Sequence, residues 1–444
     1  MTLQFGTDGL RGRVDTDLTE ELARRLGHAA ADVLGAGRWT IGRDTRESGP
    51  RLEAAVAAGL AARGATVDLV GVLPTPAIAM MAARSGGSAV VVSASHNPWH
   101  DNGLKIFGPG GKKLTDESET AIERRMEELS GVDEPHVTGE VRTIDGCADT
   151  YVSAVVGALD GRTLDGLTVV LDCGHGAATT VAGRVFSDLG ATVEVIHDTP
   201  DGRNINDGVG STDPSTLAAT VVASGADLGL AFDGDADRLI AVDSEGQIVD
   251  GDRLMCMFAI DLKARGRLAH DTLVVTVMSN LGLQRAMTSN GITVDVTPVG
   301  DRYVLASLND NGFSLGGEQS GHIIFADIAS TGDGVLAGAM LGDLVLRSGR
   351  LLAEISSEVM TRLPQVLVNV TVAERLPDVA DHLTAEIRAA ERTLGGNGRI
   401  LIRPSGTEPL VRVMVEAETP DMAEAMANHL AGAVARKYGR HPSR

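Results

Sequence analysis

Short runs rich in β-branched residues alternate with amphipathic stretches along most of the chain. Residues 39–43, 66–70 and 89–93 read as strands, with helical periodicity at 20–34, 51–63 and 77–85 between them. The pattern restarts at 167–173, 192–197 and 228–232, and again at 272–278, 292–297 and 322–325. Three successive sets of βαβ-type units predict three consecutive α/β domains with mixed sheets rather than one giant sheet. The repeat is one of pattern, without repeated residue identities. The last part differs. Pro364 precedes an apolar alternation over 366–372, a long helical pattern over 379–393 and the turn Gly395-Gly396-Asn397-Gly398. Strand-like runs at 400–402 and 411–415 then flank a tight polar turn, and 421–436 reads as helix. This predicts a small C-terminal α+β domain after a linker near 361–366. The expected domains are 1–150, 151–252, 253–363 and 364–444.

Length agrees, since 444 residues suggest about three domains, with two or four also compatible. Aromatic residues are only 3% of the chain, so its cores are expected to be Val, Leu, Ile and Ala, as suits parallel strands covered on both faces. Net charge is −21, which argues against nucleic acid and anionic membrane as partners. A small anionic substrate would require a local cluster of cations. Cys147, Cys173 and Cys256 are scattered, with no CxxC spacing, as expected in a reducing cytosol. The polar N-terminus does not resemble a signal peptide, and even the apolar run 335–346 is interrupted by Asp343, so a cytoplasmic protein is expected.

Candidate chemistry gathers at strand ends, where open α/β sheets bind ligands. Asp233-Gly234-Asp235-Ala236-Asp237-Arg238 follows the strand 228–232. Carboxylates at i, i+2 and i+4 of an extended segment share a side, and such repulsion is relieved by a hard cation such as Mg²⁺. An EF-hand is excluded, because Ser244 stands where the loop's Glu belongs. A solvated acidic turn is the alternative. Ser93-Ala94-Ser95-His96-Asn97-Pro98 puts hydroxyls on a tight turn, suited to nucleophilic work or simply to capping. Gly316-Gly317-Glu318-Gln319-Ser320-Gly321-His322 offers Glu318 and Ser320 to sugar hydroxyls, or is a β-turn with incidental polar residues. Arg403-Pro404-Ser405-Gly406-Thr407-Glu408-Pro409 combines small residues able to nest a phosphate with Arg403 and Arg412; a plain hairpin turn is the alternative. No GxxxxGK[ST] loop is present, and Gly174-His175-Gly176 reads as close strand-to-helix packing. The cations beside these turns are Arg11, Arg43, Arg46, Lys105, Arg238, Arg302, Arg403 and Arg412, a grouping that suggests a bound phosphate.

Together these segments resemble the α-D-phosphohexomutase family, from Phe5 to near Glu416. The matching pieces are Phe5-Gly6-Thr7-Asp8-Gly9-Leu10-Arg11-Gly12, then 93–98, 233–238, 317–322 and 403–409, in the family's order. Within the family, Gln319, Asn204-Ile205-Asn206, Gly210-Ser211-Thr212, the run 277–282 and Val299-Gly300-Asp301-Arg302-Tyr303 are similar to the bacterial branch acting on glucosamine 6-phosphate. The glucose- and mannose-phosphate branch usually has Met where Gln319 stands. The resemblance implies four domains around a central cleft and an isomerase that interconverts glucosamine 6-phosphate and 1-phosphate through a 1,6-bisphosphate, on the route to amino-sugar nucleotides and peptidoglycan. It implies a phosphorylated Ser95 and one Mg²⁺ on Asp233, Asp235 and Asp237, with Ser95's phosphate as a further ligand. Arg11, Lys105, Arg238 and His96 would surround the reacting phosphate, Lys105 being the candidate acid/base. Glu318, Ser320 and Arg302 would bind the sugar, and Arg403, Ser405, Gly406, Thr407 and Arg412 its distal phosphate. A phosphosugar substrate, a sugar 1,6-bisphosphate primer, a hinge near 361–366 and a homodimer through the first domain are further implications. The rival readings are a glucose- or mannose-phosphate mutase of the same family and a phosphosugar-binding regulator without turnover.

Overall fold

The computed structural model describes residues 5–6, 9–129, 138–374, 376–404 and 409–439. Contacts divide the chain into two compact units, residues 1–278 with 291–359 and residues 279–290 with 360–444.

The first unit contains three mixed sheets. In the first the strand order is Leu10–Arg13, Asp101–Gly108, Ser88–Val92, Arg38–Arg43, Thr66–Val72, Glu140–Thr143, with Lys112–Lys113 paired to Asp101–Gly108. The second runs Ile248–Val249, Leu239–Asp243, Leu228–Phe232, Thr168–Asp172, Thr192–Ile196, and the third Thr293–Thr297, Thr272–Thr276, Leu315–Gly317, Ile323–Phe325. Each sheet repeats one device. A parallel strand ends in a polar loop and the chain returns antiparallel beside it: Ser88–Val92 into Asp101–Gly108, Leu228–Phe232 into Leu239–Asp243, Leu315–Gly317 into Ile323–Phe325. The three loops carrying Ser95, the aspartates and Glu318 therefore leave equivalent strand ends. Ser88–Val92 and Leu228–Phe232 are buried at every position, as strands covered on both faces are. The buried residues around the first sheet are mainly aliphatic, with Trp39 and Phe107 the large aromatic exceptions, as the composition predicts. Helix Gly334–Ser348 begins at Asp333, whose side chain accepts from Leu336 N at 2.9 Å, and its Gly334 N–H donates to Ala236 O at 3.0 Å, so the helix start holds the aspartate loop.

The second unit has a three-stranded antiparallel sheet, Gln365–Thr371, Leu410–Glu416 and Arg399–Pro404, under an aliphatic core shared with helix Pro420–Tyr438. The helix expected over 379–393 is two, Val379–His382 and Thr384–Leu394, broken where Leu383 turns fully into that core. Helix Leu281–Ser289 also belongs here. Asn280 Oδ1 accepts from Gly282 N at 2.9 Å and Leu363 N at 3.0 Å, and the buried Glu416 carboxylate accepts from Leu281 N and from Arg399, both at 2.9 Å. Among the described residues no helix is long and apolar enough to cross a membrane.

Candidate active site

Ser95 sits in the left-handed region at φ 52°, a conformation that costs a non-glycine residue about 1 kcal/mol or more, so its surroundings must impose it. They do. Ser95 is fully buried; its N–H donates to Ser93 Oγ at 2.9 Å, and Ser93 Oγ donates to Asp44 at 2.6 Å. The result aims Ser95 Oγ out of the first domain and onto Asp233 Oδ2 of the second, 2.5 Å away. His96 Nδ1 lies 3.3 Å from the same hydroxyl. Burial, then the charges of Arg238 and Arg11, lower His96 to about 4, so its imidazole is neutral at pH 7.

The aspartate loop turns at Ala236, φ 55°, and brings one carboxylate oxygen from each of Asp233, Asp235 and Asp237 within 4.8 Å of the others, all three residues buried. Lys105 Nζ reaches Asp235 at 2.8 Å and Asp237 at 3.2 Å, and Thr75 Oγ1 donates to Asp235 at 2.6 Å. Asp235 Oδ1 and Asp237 Oδ1 are buried without a hydrogen-bond donor. Two buried carboxyl oxygens without a donor, beside a third carboxyl group, are an expensive arrangement for protein alone and suit a hard divalent cation, so the residues present fit Mg²⁺. The charges respond to the crowding. Burial and repulsion from Asp237 and Asp235 hold the Asp233 carboxyl well above the usual range. Burial also disfavours charge on Asp237, yet Lys105 and His322 hold its carboxyl well below that range.

The third loop closes on the second. Gly321 O accepts from Leu239 N at 3.0 Å, and a Cβ on Gly321 would stand 2.0 Å from Leu239 O, so only glycine permits this approach. His322, buried, faces Asp237 Oδ1 and Asp301 Oδ2, each at 3.6 Å, while Gly332 N–H donates to its Nε2 at 3.1 Å. Asp301 in turn pairs with Lys113. Glu318 Oε1 accepts from Gly300 N at 3.2 Å, and Ser320 Oγ is buried without a hydrogen-bond partner. Arg238 Nε lies 3.9 Å from Asp237, and Arg11 lies on strand Leu10–Arg13 opposite Gly103.

Other expected residues lie differently. Arg302 pairs with Asp116 at 2.6 Å and Glu119 at 2.8 Å. Arg43 donates to Glu53 at 3.3 Å and to Asp44 O at 3.4 Å, and Arg46 is buried beneath the serine loop; the expectation that Arg46 faces a phosphate is corrected, all its donors being engaged by Asp44 and the serine loop. In the second unit Arg403 and Arg412 stand directly opposite on antiparallel strands. Burial and the charge of Arg412 lower Arg403 from its ordinary value, so this pair is suited to receive an anion. Ser405, Gly406 and Thr407 lie outside the described residues. Sequence reasoning missed Thr75, Asp44, Asn206 and His322 as parts of this assembly. His322, in the glycine-rich loop, and Asn206, in the stretch Asn204-Ile205-Asn206, carried a signal; Thr75 and Asp44 did not.

Family models for phosphoglucomutase/phosphomannomutase α/β/α domains I, II and III match residues 2–132, 149–246 and 250–363, and that for the C-terminal domain matches 367–433. The chain is 52% identical to the phosphoglucosamine mutase of Rhodococcus opacus (strain B4) over 447 aligned residues, covering 97% of this chain and 99% of that protein. Its fold superposes on a crystal structure of a phosphoglucomutase/phosphomannomutase family protein from Burkholderia thailandensis with a TM-score of 0.82, at 28% identity over 98% of each chain. Aspergillus fumigatus N-acetylphosphoglucosamine mutase, in complex with GlcNAc-6P and magnesium, shares the fold with a TM-score of 0.71 at 19% identity, over 98% of this chain and 96% of that one. Four successive domain matches and a full-length relative sharing half its residues establish that the chain belongs to the phosphoglucomutase/phosphomannomutase, or α-D-phosphohexomutase, family.

Proposed function

We propose that this chain interconverts glucosamine 6-phosphate and glucosamine 1-phosphate by passing a phosphoryl group through Ser95. The observation that carries the reading is the buried Ser95 Oγ aimed at Asp233, beside Asp235 Oδ1 and Asp237 Oδ1, two buried carboxyl oxygens without a hydrogen-bond donor. The 52% identity to a phosphoglucosamine mutase and Gln319 in the sugar loop support the amino sugar as substrate.

In the proposed cycle, phosphoserine 95 donates to O1 of glucosamine 6-phosphate. The bond from phosphorus to Oγ breaks as that to O1 forms; Lys105, in its neutral amine form at this step, takes the O1 proton, and Ser95 Oγ leaves as the alkoxide. The 1,6-bisphosphate then turns around, the Ser95 alkoxide attacks its 6-phosphate, and O6 leaves with the proton held on Lys105, as the hydroxyl of glucosamine 1-phosphate. Asp233, Asp235 and Asp237, with a phosphoserine oxygen, would hold one Mg²⁺, which supplies charge neutralisation at the phosphoryl oxygens. Arg11 and Arg238 add positive charge there, and His96, neutral near pH 7, orients the Ser95 side chain. Glu318 and Ser320 take sugar hydroxyls, Arg302 assists at the rim, and Arg403, Ser405, Gly406, Thr407 and Arg412 take the distal phosphate. A sugar 1,6-bisphosphate primes the unphosphorylated enzyme. We assign the serine, metal, sugar and phosphate loops to domains bounded near residues 150, 252 and 363. We place the enzyme in the cytosol, where its three buried free cysteines stay reduced, as a homodimer.

The test is kcat/KM for glucosamine, glucose and mannose 6-phosphates with Mg²⁺ and a trace of bisphosphate. A preference of roughly a hundredfold for glucosamine 6-phosphate, about 2.7 kcal/mol of transition-state discrimination, is expected. Preference for glucose or mannose would overturn the substrate and leave the residue roles standing.

A further inference from the structure

Beneath the serine loop lies a fully buried guanidinium with every donor engaged. Arg46 Nε bonds Asp44 Oδ2 at 2.9 Å; Nη1 donates to Pro98 O at 2.5 Å and Asp101 O at 3.1 Å; Nη2 donates to Ser95 O at 2.9 Å and Asn97 O at 2.8 Å. Four backbone carbonyls of one loop are thus tied to a single rigid fork, which a lysine's point charge does not reproduce. From the second domain Asn206, itself at φ 57°, donates through Nδ2 to the same Ser95 O at 2.9 Å and Asn97 O at 3.3 Å. The two carbonyls flanking His96 are therefore each gripped from two domains, and it is this turn that keeps Ser95 left-handed.

We propose that Arg46 and Asn206 are positioning residues that together lock the Ser95 turn, so that the hydroxyl is aimed for phosphoryl transfer only while the first and second domains are docked at this point. The inference rests on the proposed role of Ser95. Neither residue touches the reacting atoms; both act through the backbone of the nucleophile. Half-buried Asn206 lies on a loop of the second domain, so its replacement leaves the core intact, whereas removing Arg46 would strand the buried Asp44.

The experiment compares Asn206→Ala, Asn206→Asp and Arg46→Lys in the full chain, reading kcat, KM, melting temperature and amide hydrogen exchange over residues 94–98. Asn206→Ala should lower kcat about tenfold, the equivalent of one lost hydrogen bond, with KM within about twofold and little change in melting. Asn206→Asp is isosteric but sets a carboxylate against two carbonyls, so it should lose more than alanine does; a packing role would predict the opposite order. Arg46→Lys should lose roughly a hundredfold in kcat and speed exchange at the turn. Unchanged kcat in all three, or equal activity of Asn206→Asp and wild type, would overturn the proposal. If the wild type turns over no hexose phosphate, the reading of function fails, and exchange at 94–98 still decides whether these two residues hold the turn.

Discussion

Gly234, between Asp233 and Asp235, is where the aspartate loop and the serine loop meet backbone to backbone. A Cβ there would stand 2.6 Å from Ser95 O, 2.8 Å from Ile205 Cδ1 and 2.9 Å from Asn206 Nδ2. Ile205 can rotate away. Ser95 O cannot, because Arg46 and Asn206 both hold it. Carbon–oxygen contacts settle near 3.3 Å, so Gly234→Ala requires the two loops to part by about 0.7 Å. Gly234 is not in the left-handed region, so alanine meets no backbone obstacle and the effect is one of contact alone. Parting the loops shifts Ser95 Oγ relative to Asp233 by a similar amount, and a misplacement near 1 Å costs about a hundredfold in rate. Overpacking of this kind destabilises by about 1–3 kcal/mol, a few degrees in melting temperature for a unit of this size. Steady-state kinetics and a thermal melt on Gly234→Ala should therefore show kcat down by about two orders of magnitude with the fold intact. Gly157→Ala, whose Cβ would meet nothing within 4 Å at the end of a helix, is the control and should leave turnover unchanged. Turnover of Gly234→Ala within about twofold of wild type would refute the claim that the loops are locked together.

Asp235→Asn removes one charge from the carboxylate cluster, and the Mg²⁺ concentration for half-maximal activity should rise tenfold or more; an unchanged metal titration would count against the cluster as the metal site. Asp333 is buried beside Tyr151, and burial raises its carboxyl to about 6. A raised carboxyl means the folded state favours the proton, so its stabilisation is complete below about pH 4 and is lost as pH rises through 6. Wild type should therefore lose about 3 kcal/mol relative to Asp333→Asn between pH 4 and 7, read as diverging denaturation midpoints; parallel curves would contradict this. Arg399→Ala leaves the fully buried Glu416 without its cationic partner, and should destabilise residues 279–290 with 360–444 by about 3 kcal/mol, seen as an earlier thermal transition.

The strands and loops that face the ligand were legible because buried parallel strands are continuous apolar runs and the polar clusters begin where those runs stop. The return strand Asp101–Gly108 was not. It opens Asp-Asn-Gly, a turn signal, yet it lies inside the sheet with seven of its eight residues buried, because Gly103 lets Ser93 O approach to where a side chain would stand. Lys105 stood out only as one of several cations near polar turns, and its pairing with the aspartate loop was hidden, since its reach to Asp235 spans 130 residues of chain. Helix Gly334–Ser348 showed no stripe because it is buried all round. Arg46 looked like one more cation in a polar turn; its acceptors are backbone carbonyls about 50 residues away, which no side-chain pattern announces.

The central claim is that the phosphoryl group travels on Ser95. The most direct measurement incubates wild type and Ser95→Ala with a sugar 1,6-bisphosphate and Mg²⁺, then follows intact mass, the modified peptide and mutase turnover together. Wild type should gain one phosphoryl group on the peptide containing Ser95 and turn over glucosamine 6-phosphate, and Ser95→Ala should do neither while melting like wild type. A folded Ser95→Ala variant that still interconverts the two phosphates, or a phosphoryl group found on another residue, would contradict the account.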